Sequence, residues 1–153
     1  MRRDAARASA SPAGRSAPGR PLLLFDGPCR LCDRAVGWLL AHDRRGRLLF
    51  APLQGNLAAS LRARHALPDE LDSVVLVLGF GGADESVRLR SDALLGALAE
   101  LGGWRSWLRW LRLVPRPLRD AAYRFVARRR SRWFGRREGC RLPGPGERDR
   151  FLE

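Results

Sequence analysis

Lysine is absent from this chain of 153 residues, so all 29 of its basic side chains are arginine. That bias reads as the codon usage of a GC-rich genome, although guanidinium brings bidentate chemistry wherever it sits. Cysteine is scarce, with three residues, and an odd count this small excludes a disulfide-stapled secreted scaffold. Long apolar runs are missing too: nothing approaches the roughly 20 residues needed to cross a bilayer. The opening stretch MRRDAARASASPAGRSAPGR is basic, but the apolar run after it ends at Asp26, too soon for the core of a signal peptide. A soluble cytoplasmic protein is the expectation, and there closely spaced cysteines serve redox chemistry or metal binding.

What is present supports one domain with its own core. Apolar residues make up 45% of the chain, typical of globular proteins. Residues 1–20, rich in Ala, Ser, Arg, Gly and Pro without a period, read as a disordered leader, leaving a domain over 21–153. Charge is uneven. Residues 21–100 carry nine Arg against ten acids, whereas 101–153 carry fifteen Arg against five acids.

Periodicity gives the elements. Leu22–Phe25 is a continuous apolar run, the pattern of a strand covered on both faces. Leu31, Ala35, Trp38, Leu39 and His42 recur at helical spacing, predicting a helix over about 29–42 with Pro28 in its first turn. Arg47–Ala51 predicts a second strand, and Leu57, Leu61 and His65 a second helix over about 55–66. Ser73–Leu78 is β-branched and uncharged, the clearest strand in the chain. A Gly-rich turn at 79–82 returns Val87–Arg90 as a hairpin partner. Ser91 is placed to cap a third helix, with Asp92 in its first turn and an apolar stripe of Ala93, Leu94, Ala97, Leu98 and Leu101. The order β-α-β-α-β-β-α predicts a mixed sheet with helices on its faces, the arrangement of a minimal thioredoxin-like fold. Beyond it, about 104–140 predicts a helical extension. Trp104, Trp107, Leu108 and Leu111 share one face; Leu118, Ala121, Ala122, Phe125 and Val126 share another, opposed by Arg119, Arg124 and Arg128. Both apolar faces are expected to pack on the domain.

The chemistry concentrates in LFDGPCRLC, residues 24–32, between the first strand and the first helix. A zinc site needs four ligands, usually as two spaced pairs. Here there is one C-x-x-C, a lone Cys140, and only His42 and His65 as imidazoles, so a metal reading requires an irregular set. A redox reading needs only the pair, and no cofactor. Unpaired N–H groups and the helix dipole lower the pKa of a thiol at a helix N-terminus, which makes Cys29 the nucleophile. Cys32, one turn on, is the resolving thiol. Arg30 adds positive charge beside them. Asp26 either relays a proton to the buried thiol or satisfies N–H groups at the helix start. Gly27 and Pro28 set the geometry of the entry turn. Packing alone does not require cysteines on a strand-to-helix turn.

Asp26-Gly27-Pro28-Cys29-Arg30-Leu31-Cys32 resembles the D-x-x-C-x-x-C signature of the DCC family of predicted thiol-disulfide oxidoreductases. The likeness continues through Phe50-Ala51-Pro52-Leu53-Gln54, Asp72 to Val77, Arg90-Ser91-Asp92-Ala93, Tyr123-Arg124, Phe134-Gly135 and Cys140 to Pro143. The resemblance implies a thioredoxin-like fold and dithiol-disulfide activity on a protein or small-molecule disulfide, served by an electron donor. It departs from ordinary thioredoxins before the third strand, where Asp72-Ser73 stand in place of a substrate-docking cis-proline. Cys140 reads as an idle thiol or a third redox thiol, and Ser91 and Asp92 as a helix cap or part of the site's rim. The competing function is a basic binding module, its Arg-rich C-terminal helices meeting an acidic partner, nucleic acid or a membrane surface.

Overall fold

The computed structural model describes residues 18–68, 71, 73–139 and 142–152, and only the backbone of 104–106, 108 and 109. Four strands, β1 (Leu22–Phe25), β2 (Leu49–Pro52), β3 (Val75–Leu78) and β4 (Ser86–Leu89), form one sheet in the order β2-β1-β3-β4. β1 pairs parallel to β2, with Leu23 opposite Phe50, and antiparallel to β3, with Leu23 opposite Leu76. β3 pairs antiparallel to β4. A parallel pair needs a crossover connection, supplied by α1 (Arg30–His42) between β1 and β2. α2 (Asn56–Arg64) and α3 (Arg90–Glu100) complete the mixed α/β, thioredoxin-like arrangement.

Side chains alternate across a strand, so β1 feeds two cores. Leu23 and Phe25 join Cys32, Val36, Leu39, Phe50, Leu76 and Ala97 beneath α1 and α3. Leu22 and Leu24 join Leu49, Ala58, Leu61, Val75 and Val77 beneath α2. All four β1 side chains are buried, which is why that strand is continuously apolar rather than alternating. The sheet edge at β2 is covered: Leu152 donates its N–H to the Phe50 carbonyl at 2.8 Å, and the Phe151 ring stacks on Phe50 at 5.6 Å. Arg150 pairs with the buried Asp43.

The helix faces differ from the periodic reading in detail. The buried residues of α1 are Cys32, Val36 and Leu39, whereas Trp38 is 42% exposed and stacks on His42. α3 buries Ala93, Leu95 and Ala97, and Leu94 turns outward. Gly96 lets α3 approach the sheet: a Cβ there would lie 2.5 Å from Leu76 Cδ2. Ser91 does not cap α3, which has no side-chain cap; its hydroxyl donates to Asp120 at 2.5 Å instead.

The C-terminal extension is a 3₁₀ segment, Gly103–Leu113, followed by α4, Arg116–Phe134. Among the described side chains, its large apolar residues are mostly exposed rather than packed on the domain. A period of 3.0 residues puts Trp107, Trp110 and Leu113 on one ridge, and all three are exposed. The expected face of Trp104 and Leu108 falls on side chains outside the described ones. α4 buries no residue; Leu118 is 63% and Phe125 49% exposed. It is tied to the domain by polar groups instead. Arg119 pairs with Asp92 at 2.9 Å, Asp120 takes the Ser91 hydroxyl, and Tyr123 Oη accepts the Val74 N–H at 2.9 Å. Arg130 reaches Asp26 at 3.0 Å. Among the described residues no helix is long and apolar enough to cross a membrane.

Candidate active site

β1 ends at Phe25, and the turn Asp26–Pro28 delivers Cys29 to the N-cap of α1 in extended conformation. Pro28 therefore lies before the cap, not in the first helical turn. Gly27 has no positive φ among the described backbone; its N–H donates to Gln54 Oε1 at 3.2 Å. The cap is the cysteine itself, whose Sγ accepts the Cys32 N–H at 3.4 Å. A sulfur so placed lies at the unpaired N–H groups and the positive end of the helix.

Cys32 lies one turn deeper, inside the core. Its pKa is pushed up to about 12, first by burial, then by its hydrogen bond to Cys29 and the negative charge Cys29 can carry. Arg130 and the Asp26 main chain pull the other way without prevailing. Both cysteines are free thiols, and at neutral pH Cys32 keeps its proton.

The Asp26 carboxylate, buried beside the pair, contacts no N–H of the helix start among the described bonds. Gln54 Nε2 donates to one oxygen at 2.8 Å and Arg130 Nη2 to the other at 3.0 Å. The second nitrogen of Arg130 lies 3.6 Å from Cys32 Sγ. Burial works against the charge of this guanidinium, but Cys32, Cys29 and Asp26 outweigh it and raise its pKa. Arg30, the expected cation, is exposed at the first residue of α1; Arg130, 98 residues beyond Cys32, provides the charge at the sulfur. Sequence reading missed Arg130, Gln54 and Tyr123 as site residues. The available signal was the seven-residue spacing of Tyr123 and Arg130, two helical turns on one face.

Both sulfurs are covered from solvent. Cys29 is 3% and Cys32 7% exposed. A strap formed by Gly135–Arg137 covers the pair from outside: Arg136 bridges Cys29 as in an antiparallel sheet, and the Arg137 N–H donates to the Pro28 carbonyl at 2.8 Å. Arg137 also pairs with Asp33 at 3.0 Å.

Asp92 is held below the usual carboxylate range; burial opposes this, and hydrogen bonds from Arg119 and Arg116 prevail. Ser91 and Asp92 therefore anchor α4 rather than cap α3. Cys140 lies outside the described residues. Among the described residues no three His, Cys, Asp or Glu side chains gather as metal ligands. His42 Nδ1 is 2.7 Å from the Trp38 carbonyl and His65 Nε2 is 2.7 Å from Glu85, both away from the cysteine pair.

Comparison with known proteins agrees with this geometry. Residues 23–136 match the family model described as DCC1-like thiol-disulfide oxidoreductase. The uncharacterized protein YuxK of Bacillus subtilis is 38% identical over 133 residues, 86% of this chain and 93% of that protein. A chloroplastic DCC family protein of Arabidopsis thaliana is 33% identical over 125 residues, 80% of this chain and 70% of that protein. No solved structure matches the chain. The family match runs unbroken from the first strand to the strap over the cysteines, and on that span the chain belongs to the DCC1-like thiol-disulfide oxidoreductases.

Proposed function

We propose that the protein is a dithiol-disulfide oxidoreductase in which Cys29 attacks and Cys32 resolves. The observation that carries this reading is the opposite setting of the two sulfurs: Cys29 caps α1, whereas Cys32 is held as a thiol with its pKa at about 12. In the reducing direction the Cys29 thiolate attacks a substrate disulfide, forming a mixed disulfide and releasing one thiolate. The Cys32 thiol then gives up its proton and attacks Cys29 Sγ, releasing the second thiolate. The dithiol loses two electrons and two protons; the substrate gains both as two thiols. Asp26 and Arg130, paired beside the sulfurs, serve the proton transfer and the transient charge on Cys32. Two thiols of the electron-donor partner, which leave joined as a disulfide, restore the dithiol.

Exchange with hydroxyethyl disulfide tests it. Cys29→Ser is expected to abolish turnover, and Cys32→Ser to accumulate a mixed disulfide visible by mass spectrometry. Equal turnover by the wild type and Cys29→Ser would refute the assignment.

A further inference from the structure

Because α4 is tied down by long polar side chains, a gap remains between its inner face and the core. The gap is a cavity of about 460 Å³, within the 300–1,000 Å³ of small-ligand sites. Its walls come from β1, α1, α3 and α4 and are largely hydrocarbon, including Leu23, Phe25, Val36 and Val126, with Cys32 and Arg130 set among them. An apolar space of this size is costly to leave unfilled, and water entering it finds few polar partners.

Two other approaches to the cysteines are occupied. The strap at Gly135–Arg137 covers Cys29 from solvent. The Val74 N–H, just ahead of β3 and the backbone donor beside the core that holds the cysteines, is already taken by Tyr123. The cavity reaches the pair at Cys32, whose side chain is hydrogen-bonded to Cys29.

We propose that this cavity binds the hydrocarbon body of the substrate, a small-molecule disulfide with apolar substituents, and brings its S–S bond to the cysteine pair at the Cys32 end, beside Cys29. The assignment rests on the exchange chemistry above and names its substrate class. That chemistry stays balanced: one S–S bond of the substrate breaks, one forms between the cysteines, and two apolar thiols leave with the two electrons and protons. The nascent thiolate forms in hydrocarbon surroundings, where Arg130 in the wall meets its charge. The other wall cation, Arg119, is engaged by Asp92 and the Val114 carbonyl.

The test uses the whole protein and alkyl 2-pyridyl disulfides from methyl to octyl, following release of pyridinethione. Burying each methylene is expected to raise kcat/KM about fourfold over the first carbons, against a flat series with free glutathione. In parallel, 1-decanol, which has no redox chemistry, is titrated calorimetrically; one saturable site is expected, weakened at least tenfold by Val126→Trp. Flat kinetics with exchange intact, or decanol binding that is absent or indifferent to Val126→Trp, overturns the cavity assignment and leaves the exchange reading standing. Saturable decanol binding with no exchange toward any member of the series overturns the exchange reading, and the substrate assignment with it.

Discussion

Replacing Arg130 by methionine keeps much of the side chain's length and removes the charge between Asp26 and Cys32. The two paired side chains are each 11% exposed. Exposed ion pairs contribute about 0–1 kcal/mol, but removing one partner of a buried pair costs about 3–5 kcal/mol, because the other charge stays buried without compensation. Asp26 would keep only the Gln54 amide at 2.8 Å on its carboxylate. With that bond retained, the lower end applies, about 3 kcal/mol, a large share of a typical domain's 5–15 kcal/mol. Asp26→Asn removes the charge that needs compensating, so the double variant is expected to lose less than the two single losses together. The shortfall should be about 2 kcal/mol, within the 0.5–3 kcal/mol found for residues in contact. Urea unfolding of the four proteins under reducing conditions, with m held common where the data allow, measures it. If Arg130→Met costs under about 1 kcal/mol and adds to Asp26→Asn without coupling, the pair is a solvated surface contact and the view of α4 as pinned through the site is wrong.

Acid should loosen α4, held by Asp92, and the end of α2, held by Glu85. Asp92 and Glu85 bind protons more weakly folded than unfolded. Their contribution is therefore complete above the ordinary carboxylate pKa of about 4 and is shed as pH falls through it toward the lower folded values. Urea midpoints between pH 5 and 3 should fall less steeply for Asp92→Asn than for the wild type, and parallel slopes would count against this. Arg137→Pro deletes the N–H that holds the strap to Pro28. Losing one hydrogen bond of about 1 kcal/mol should speed iodoacetamide labelling of Cys29 about fivefold, read by mass spectrometry. An unchanged rate would mean that the strap does not govern access to the thiol.

The parts legible in the sequence were those fixed by local pattern. The apolar run at Leu22–Phe25 marks a central strand because no polar residue could survive on either of its faces. The C-x-x-C on the following turn was legible for a similar reason, since the helix-start position and the two-residue spacing are local. Helix faces were read less well. Trp38 and Leu94 fit an apolar stripe by spacing, yet the tertiary fit chose Val36 and Leu95. In α4 apolar periodicity does not mean apolar docking, since the helix buries none of its residues. Arg119, Asp120, Tyr123 and Arg130 instead do the docking, through partners far away in sequence. Fifteen arginines in 101–153 gave no local reason to single out Arg130, since what distinguishes it is a carboxylate on the other side of the fold.

That separation has a consequence for how the molecule is made. Asp26 and Arg130 lie 104 positions apart, and Val74 and Tyr123 lie 49 apart. A growing chain that has emerged only through α3 can assemble the whole sheet and place both thiols at the head of α1. It would hold them without the guanidinium, the strap, or the roof over the inner core. Contacts of such long sequence separation form late and slow folding, so the young domain passes through an interval in which its sulfurs are uncovered. Chemically, that interval is when stray oxidation or mispairing with another nascent chain is most accessible, and the arrival of α4 closes it.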